Sequence, residues 1–267
     1  MNKTLSIITL LALFSPSLAH SEDMNLTADN RVEWHHKEQK VVAIGNAIAT
    51  RGNMQVKADK MSADYKKNST TQKNQITQVH ASGNVKMKSP KANAFGDTLD
   101  YNLEQDIVVL KGKPATIKTA TETITAEENI TYYPTDKKAI ALGNVKANNG
   151  KDKIYGDKMI TYFEPNSNNS DNLEMKQVEI YGNVKIINAD TTVWADKGIY
   201  NPKTALVKLY DNIIIEQNGN RLQGDYAQSD LNSGISKILA GKTSKQRVTG
   251  VFKEKSSKKQ SSATENK

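Results

Sequence analysis

The strongest constraint on the fold of this chain is a module that recurs six times with nearly constant internal spacing. Each module begins with a two-residue turn signal and reaches an acidic residue 14 or 15 positions later. The pairs are Gly45-Asn46 with Asp59, Gly83-Asn84 with Asp97, Gly112-Lys113 with Glu127, Gly143-Asn144 with Asp157, Gly182-Asn183 with Asp196, and Asp211-Asn212 with Asp225. Units of this kind cannot bury an apolar face alone, so the repeat predicts a stack in which neighbours cover one another.

Within each module the hydrophobic residues alternate with polar ones. Val85 and Met87 alternate with lysines, and so do Val184 and Ile186 with Asn183 and Lys185. A period of two is typical of strands with one apolar and one wet face, and Gly and Asn supply the positive φ angles that tight turns require. We therefore predict an all-β fold with at least twelve short antiparallel strands, two per module.

The modules fall into two similar blocks. A shift of about 98 to 100 residues lays the first three modules on the last three, so that Asp59-Lys60-Met61 meets Asp157-Lys158-Met159. Two polar inserts, at residues 66–82 and 163–181, interrupt equivalent positions of the blocks. The sequence thus indicates an internal duplication of a three-module block.

Both termini differ in composition from the repeat. Residues 1–19 have a basic start, a short apolar run and a Ser-Leu-Ala cleavage site, which predicts a cleavable signal peptide and export. The last 26 residues carry eight Lys or Arg against two Glu, and most of the net charge of +8 lies there. We predict a β-domain over residues 20–241 and a basic flexible tail over residues 242–267. The nearly neutral body argues against nucleic acid as a partner.

No constellation in the sequence is typical of an enzyme or a metal site. The chain has no cysteine, and His35 and His36 are neighbours on a predicted strand, so their side chains face opposite ways. One acidic residue per module favours a structural role at each corner, in hydrogen bonds to the local backbone. We therefore expect no catalysis, no cofactor and no metal. A β-solenoid enzyme acting on carbohydrate would need a carboxylate cluster on one face.

Two stretches carry a family resemblance. These are Ala43-Ile44-Gly45-Asn46-Ala47, with Val56-Lys57-Ala58-Asp59-Lys60 after it, and Leu99-Asp100-Tyr101-Asn102, followed by residues 107–112. With the signal sequence and the absence of cysteine, they make the chain resemble the LptA (OstA-like) lipopolysaccharide-transport family over roughly residues 25 to 240. The chain departs from the usual member by carrying extra modules.

The resemblance implies a twisted open β-jellyroll in the periplasm that holds lipid A acyl chains in an apolar groove. It also implies a bridging role, from the inner to the outer membrane, through edge contacts with LptC-like and LptD-like components and possible head-to-tail homo-oligomers. The predicted groove residues are Val85, Met87, Tyr101, Leu103, Val109, Ile117, Val145, Tyr162, Val184, Ile186, Tyr200 and Ile213.

Other interpretations of the alternating strands stay open at this point. From the residues alone, alternating strands favour a closed core, and hence a structural β-repeat adaptor that holds no lipid, and it is the resemblance that favours a groove. An outer-membrane β-barrel is a further alternative, but it predicts longer strands, aromatic girdles and a terminal aromatic strand.

Overall fold

The computed structural model describes residues 24–68, 72–166, 169–240 and 247–252, and within these ranges every regular element is a β-strand. The all-β prediction is confirmed. The eighteen strands are β1 (Asn25–Thr27), β2 (Arg31–His35), β3 (Lys40–Arg51), β4 (Met54–Lys67), β5 (Asn74–Lys88), β6 (Ala92–Asn102), β7 (Ile107–Lys111), β8 (Ala115–Thr119), β9 (Thr123–Ala126), β10 (Asn129–Tyr133), β11 (Lys138–Asn148), β12 (Asp152–Asn166), β13 (Asn169–Asn188), β14 (Thr191–Asn201), β15 (Leu206–Gln217), β16 (Asn220–Asp230), β17 (Ile235–Leu239) and β18 (Thr249–Val251).

The long strands bend in the middle, so that their two halves belong to two different layers. One half of β3 pairs with β2 and the other half with β1, and β6, β11 and β16 divide their partners in the same way. The upper half-sheet contains β2, β7, β10, β17 and the strand halves between them. The lower half-sheet contains β1, β8, β9, β18 and the remaining halves. The result is a bent antiparallel sheet folded into an open jellyroll.

The bends lie at the Gly-Asn positions. Gly83 and Asn84 have φ angles of 76° and 49°, and the pairs in β3, β11 and β13 are equally left-handed. Sequence analysis placed these residues in turns between strands, which is wrong. They form β-bulges inside continuous strands, where the register slips, for example between Ser82 and Val85. A bulge adds one residue, bends the strand and redirects it from one layer to the other.

The acidic corner residues bind the bulge of the neighbouring strand, not the local backbone as predicted. The Asn84 amide donates to Asp59 Oδ2 at 2.8 Å, and the Asn183 amide donates to Asp157 Oδ2 at 2.9 Å. The same contact joins Asn144 to Glu127 and Asn212 to Asp196. These bonds run across the strands at successive bends, so each module fixes the bend of the next.

The apolar core lies between the two half-sheets along their whole length. Small residues line it near the amino-terminal end, such as Ala43, Ala47 and Ala81, which are completely buried. Larger ones, such as Ile180 and Leu209, line the carboxyl-terminal part. Because the strands alternate, the other face of each half-sheet is polar.

The ends of the jellyroll carry free strand edges. β1 and β2 form one end, and β17 and β18 form the other. Among the described residues, every exposed large hydrophobic side chain lies at one of these ends: Met24, Val32, Trp34, Ile235, Leu239, Val248, Val251 and Phe252.

The polar inserts and the tail take positions that the sequence did not predict. The inserts extend the β4–β5 and β12–β13 hairpins, which makes several strands longer than expected. Thr249–Val251, which lie inside the predicted flexible tail, form β18 and pair with β16. The predicted signal peptide and residues 253–267 lie outside the described residues.

Candidate functional site

The candidate site is the trough between the half-sheets. Its wall consists of the inward positions of successive strands, and its base is the line of bends. In the middle of the chain the trough is closed, since Val145, Ile117 and Tyr132 are no more than 2% exposed. Towards the carboxyl-terminal end Ile186, Tyr200 and Val207 are only half-buried. The trough is therefore tightly packed at its centre and looser towards that end.

Nine of the twelve predicted groove residues belong to this apolar interior. They are Val85, Met87, Tyr101, Ile117, Val145, Val184, Ile186, Tyr200 and Ile213. The structure thus gathers on one surface most of the residues that the sequence selected. Whether that surface holds lipid remains a prediction.

The other three residues do not line the interior. Val108 and Leu110 face the core, so Val109 between them faces outward. Tyr162 lies between the buried Thr161 and Phe163, so its side chain also faces outward. Leu103 lies in the turn after β6, where its backbone amide donates to the Thr77 carbonyl of the neighbouring strand β5.

Several interior residues were missed by the sequence analysis. Met159, Phe163, Ile180 and Leu209 are all buried in the apolar cluster. Tyr132 was missed as well, although it is one of the largest fully buried side chains. On β13, Ile180 has the same parity as the selected Val184 and Ile186, so alternation alone would have placed it inward. On β12 the inward parity changes between Ile154 and Met159, at the irregularity near Asp157, and simple alternation fails there.

A small apolar cavity lies in the carboxyl-terminal part of the trough. Its volume is about 50 Å³, and its lining includes Ile180, Ile186, Tyr200 and Leu209. A water molecule occupies about 30 Å³ in the liquid, and ligand pockets commonly exceed about 300 Å³. An acyl chain therefore requires the half-sheets to move apart from the arrangement seen here.

The extended β12–β13 hairpin crosses the mouth of the trough. We call its described residues, 163–166 and 172–177, the strap. Lys91 Nζ, at the turn between β5 and β6 in the lower half-sheet, donates to Asn172 Oδ1 at 2.7 Å. The strap extends strands of the upper half-sheet, so this bond joins the two rims. At the start of the strap, the Phe163 ring packs edge-on against the buried Tyr132 ring, with centroids 6.3 Å apart.

Ion pairs stiffen the base of the strap. Lys203 Nζ contacts Glu164 at 2.6 Å and Glu174 at 3.0 Å, and these hydrogen bonds raise the pKa of Lys203. Asn166 donates to Glu174 at 2.7 Å. The strap is thus held by Lys203 of the β14–β15 turn and by contacts within its own hairpin, and on the opposite rim by the Lys91 bond.

Burial of phenol groups in the trough makes stability depend on alkaline pH. Desolvation raises the pKa of Tyr132, and the Asp106 charge adds to the effect. Burial likewise raises the pKa values of Tyr101 and Tyr200. A raised folded-state pKa contributes stability below the unfolded pKa, near 10, and this stability is lost as pH rises through the folded value.

We expect the free energy of unfolding to fall above about pH 10, by up to about 1.4 kcal/mol per pH unit for Tyr132 and by less for Tyr101 and Tyr200, which are more exposed to water. Tyr132→Phe should make this alkaline decline shallower, which urea denaturation at a series of pH values measures. Tyr133→Phe, on the outer face of the same strand, is the control. Equal slopes for Tyr132→Phe and the unchanged chain would contradict the assignment.

The described part of the chain has neither a cluster of side chains that could hold a metal ion nor a helix that could span a membrane. Its His, Asp and Glu side chains form no cluster of three or more that could hold a metal ion. His80 instead bonds through Nδ1 to Asp100 at 2.6 Å on the outer face. None of the described residues forms a helix long and apolar enough to span a bilayer.

Comparisons with known proteins identify the domain. The family described as "LptA/(LptD N-terminal domain) LPS transport protein" matches twice, at residues 25–137 and 123–235. The two matches are offset by 98 residues, which agrees with the duplication inferred from the repeat. A search of curated proteins returns no match.

One solved structure is similar over most of its length. It is the crystal structure of LptH, the LptA homologous periplasmic component of the conserved lipopolysaccharide transport device from Pseudomonas aeruginosa. The identity is 13%, the alignment covers 87% of this chain and 96% of that chain, and the TM-score is 0.22. The assignment rests on the two family matches, which together span most of the sequence: this chain belongs to the LptA/LptD N-terminal domain family of lipopolysaccharide transport proteins.

Proposed function

We propose that this protein binds lipopolysaccharide in the periplasm and carries it from the inner to the outer membrane through the trough. The lipid A acyl chains lie between the half-sheets, against the inward side chains, and the sugars remain outside. The observation that carries the proposal is the continuous apolar interior, which includes a cavity already present beside Ile186 and Tyr200.

The energetic reason for such a trough is the cost of exposing acyl chains to water. Each exposed methylene costs about 0.8 kcal/mol, so several chains in the aqueous gap cost tens of kcal/mol. An apolar interior that runs past many strands removes most of this cost along the path. Small side chains such as Ala43, Ala47 and Ala58 leave room for chains once the half-sheets spread.

Bridging requires the interior to continue into a partner, and the two ends fit that requirement. Val32 and Trp34 lie opposite Ala43 and Val41, so they continue the inner face to the edge, where Trp34 is 58% exposed. An exposed edge strand with apolar side chains can add a strand from another chain. We propose LptC-like and LptD-like components as partners at β1–β2 and β17–β18. Because these ends differ, head-to-tail homo-oligomers are also compatible.

Site-specific photo-crosslinking tests the lipid trough. A photoreactive phenylalanine derivative replaces Ile186, whose side chain faces the cavity, or Lys185, whose ammonium lies over the outward Trp194 ring. We expect lipopolysaccharide to label the variant at position 186 at least about tenfold more than the variant at position 185, because neighbouring strand residues face opposite sides.

Equal labelling at both positions would contradict an inward lipid site. Labelling at neither, in protein whose β circular dichroism is unchanged, would favour the structural adaptor without a lipid groove. A third variant at Val193, opposite Ile186 on β14, should label like position 186.

A further inference from the structure

On the outer face of the lower half-sheet, the strands from β4 to β14 carry lysines but no acidic residue at the positions between the bends and the hairpin turns. These positions form two cross-strand rows in continuous register. The first row is Lys57, Lys86, Phe95, Thr116, Thr125, Lys146, Tyr155, Lys185 and Trp194. The second is Gln55, Lys88, Asn93, Lys118, Thr123, Asn148, Lys153, Ile187 and Thr192. We call these eighteen residues the lysine–aromatic face. It has seven lysines and no acidic residue.

The lysines of this face are not neutralised by the protein. None of the seven forms an ion pair with another described residue, and six are exposed. By contrast, the outer face of the upper half-sheet includes Glu33, Asp64 and Asp100, each of which is paired. Sequence analysis found a nearly neutral body and missed the segregation, because the lysines come from separate strands.

Like charges stand directly opposite one another in part of the face. Lys57 and Lys86 are cross-strand partners, and Lys88 lies two residues further along the same strand face. Such pairs destabilise a sheet by repulsion. The exposed corner carboxylates, such as Asp59 two positions after Lys57, border the face and offset part of this repulsion. An anion from outside the chain, lying on the two rows, would relieve the rest.

Aromatic rings alternate with the lysines along the first row. Lys146, Tyr155, Lys185 and Trp194 occupy four successive strands, about 4.8 Å apart. Lys185 Nζ lies 5.5 Å from the Trp194 ring centre. The half-buried rings of Tyr155 and Trp194 lie two strands apart, about 9.6 Å, which is comparable to the length of two sugar residues. They offer stacking surfaces for sugars on either side of a cationic position.

The neutral residues and the twist of the face favour an anion that contains sugars and is linear. Thr, Asn and Gln occupy seven of the eighteen positions, and their hydroxyl and amide groups suit sugar hydroxyls. Neighbouring strands rotate by about 20 to 25°, so the rows turn through well over a quarter turn. A flat membrane would touch only part of such a surface, whereas a linear polymer can follow it.

We propose that the lysine–aromatic face binds a linear acidic polysaccharide. Its sugar rings lie against Tyr155 and Trp194, and its carboxylate or phosphate groups lie on the intervening lysines. This surface is on the opposite side of the sheet from the trough, so the proposal does not depend on lipid binding there.

Binding of polygalacturonate, a linear polymer of uronic acid, tests the proposal on the full chain. Trp194 fluorescence reports binding in a Trp34→Phe background. We expect saturable binding that weakens with added salt, as counterion release requires. The triple variant Lys146→Gln, Lys153→Gln and Lys185→Gln should weaken binding by roughly tenfold or more, since it removes the cations beside both rings.

The control variant removes the same charge elsewhere. Lys158→Gln, Lys208→Gln and Lys237→Gln lie on the outer face of the upper half-sheet, and binding should change by less than about twofold, since distant exposed charges are screened. Equal losses in the two triple variants would overturn the proposal, and so would equal affinity for neutral dextran. Tighter binding to phosphatidylglycerol vesicles or to single-stranded DNA would assign the face to a different partner.

Discussion

Gly182→Ala should lower the free energy of unfolding by about 2 to 4 kcal/mol. Gly182 lies at a bend of β13 with φ of 69°, a conformation unfavourable for alanine. A Cβ atom there would stand 2.2 Å from Asp157 Oδ2, the atom that accepts the Asn183 hydrogen bond. The substitution therefore adds backbone strain and displaces the bond that joins neighbouring strands at the bend. Urea denaturation measures the loss.

Gly150 provides a matched control for this prediction. It also has a positive φ, of 85°, but a Cβ atom there would meet nothing within 4 Å. Gly150→Ala should cost only the strain, about 1 to 2 kcal/mol. Adding Asp157→Ala to Gly182→Ala should cost less than the sum of the single changes. Equal losses at Gly150 and Gly182 would show that the corner contact contributes nothing.

Tying the strap to the opposite rim should slow lipid loading by roughly tenfold or more, because the half-sheets must separate to admit acyl chains. The chain has no cysteine, so Lys91→Cys with Asn172→Cys gives a unique thiol pair. A short bismaleimide joins these thiols where the Lys91 Nζ to Asn172 Oδ1 bond stood. Uptake of fluorescent lipopolysaccharide, followed in time, measures the effect.

A control distinguishes the effect of the crosslink from the effect of losing the Lys91–Asn172 hydrogen bond. The same double-cysteine chain, capped with N-ethylmaleimide, lacks the Lys91 bond but stays open. It should load at least as fast as the unchanged chain. If the tied and the capped proteins load at the same rate, lipid does not enter past the strap.

The sequence predicted the all-β fold, the repeat and nine residues of the interior, but it failed where strand parity depends on one residue. Tyr101 and Tyr200 follow their corner Asp by four residues and face inward, whereas Tyr162 follows Asp157 by five and faces outward. A single added residue moves a side chain to the other face of a sheet. The distance from the corner Asp to the tyrosine can be counted in the sequence, but only the strand register shows which tyrosine side chain faces the interior.

The bends and the lysine–aromatic face could not be predicted from the sequence, for other reasons. A positive φ at Gly-Asn is common to hairpin turns and to bulges, and the choice depends on pairing with distant strands. Likewise Lys57 and Lys146 become members of one row only through four intervening strands. Local patterns specify which residues alternate, whereas register specifies which of them meet.

The duplication changes how an assembly of such proteins responds to dilution. Residues 123–137 are shared by both family matches, and the pairings of β7 with β10 and of β8 with β9 join the two halves within one chain. A junction inside a chain has an effective concentration fixed by the covalent link, not by how much protein is present. A path of given length built from double domains thus contains half as many dissociable joints as one built from single domains. On dilution it would break in steps of two domains, while each internal junction stays closed.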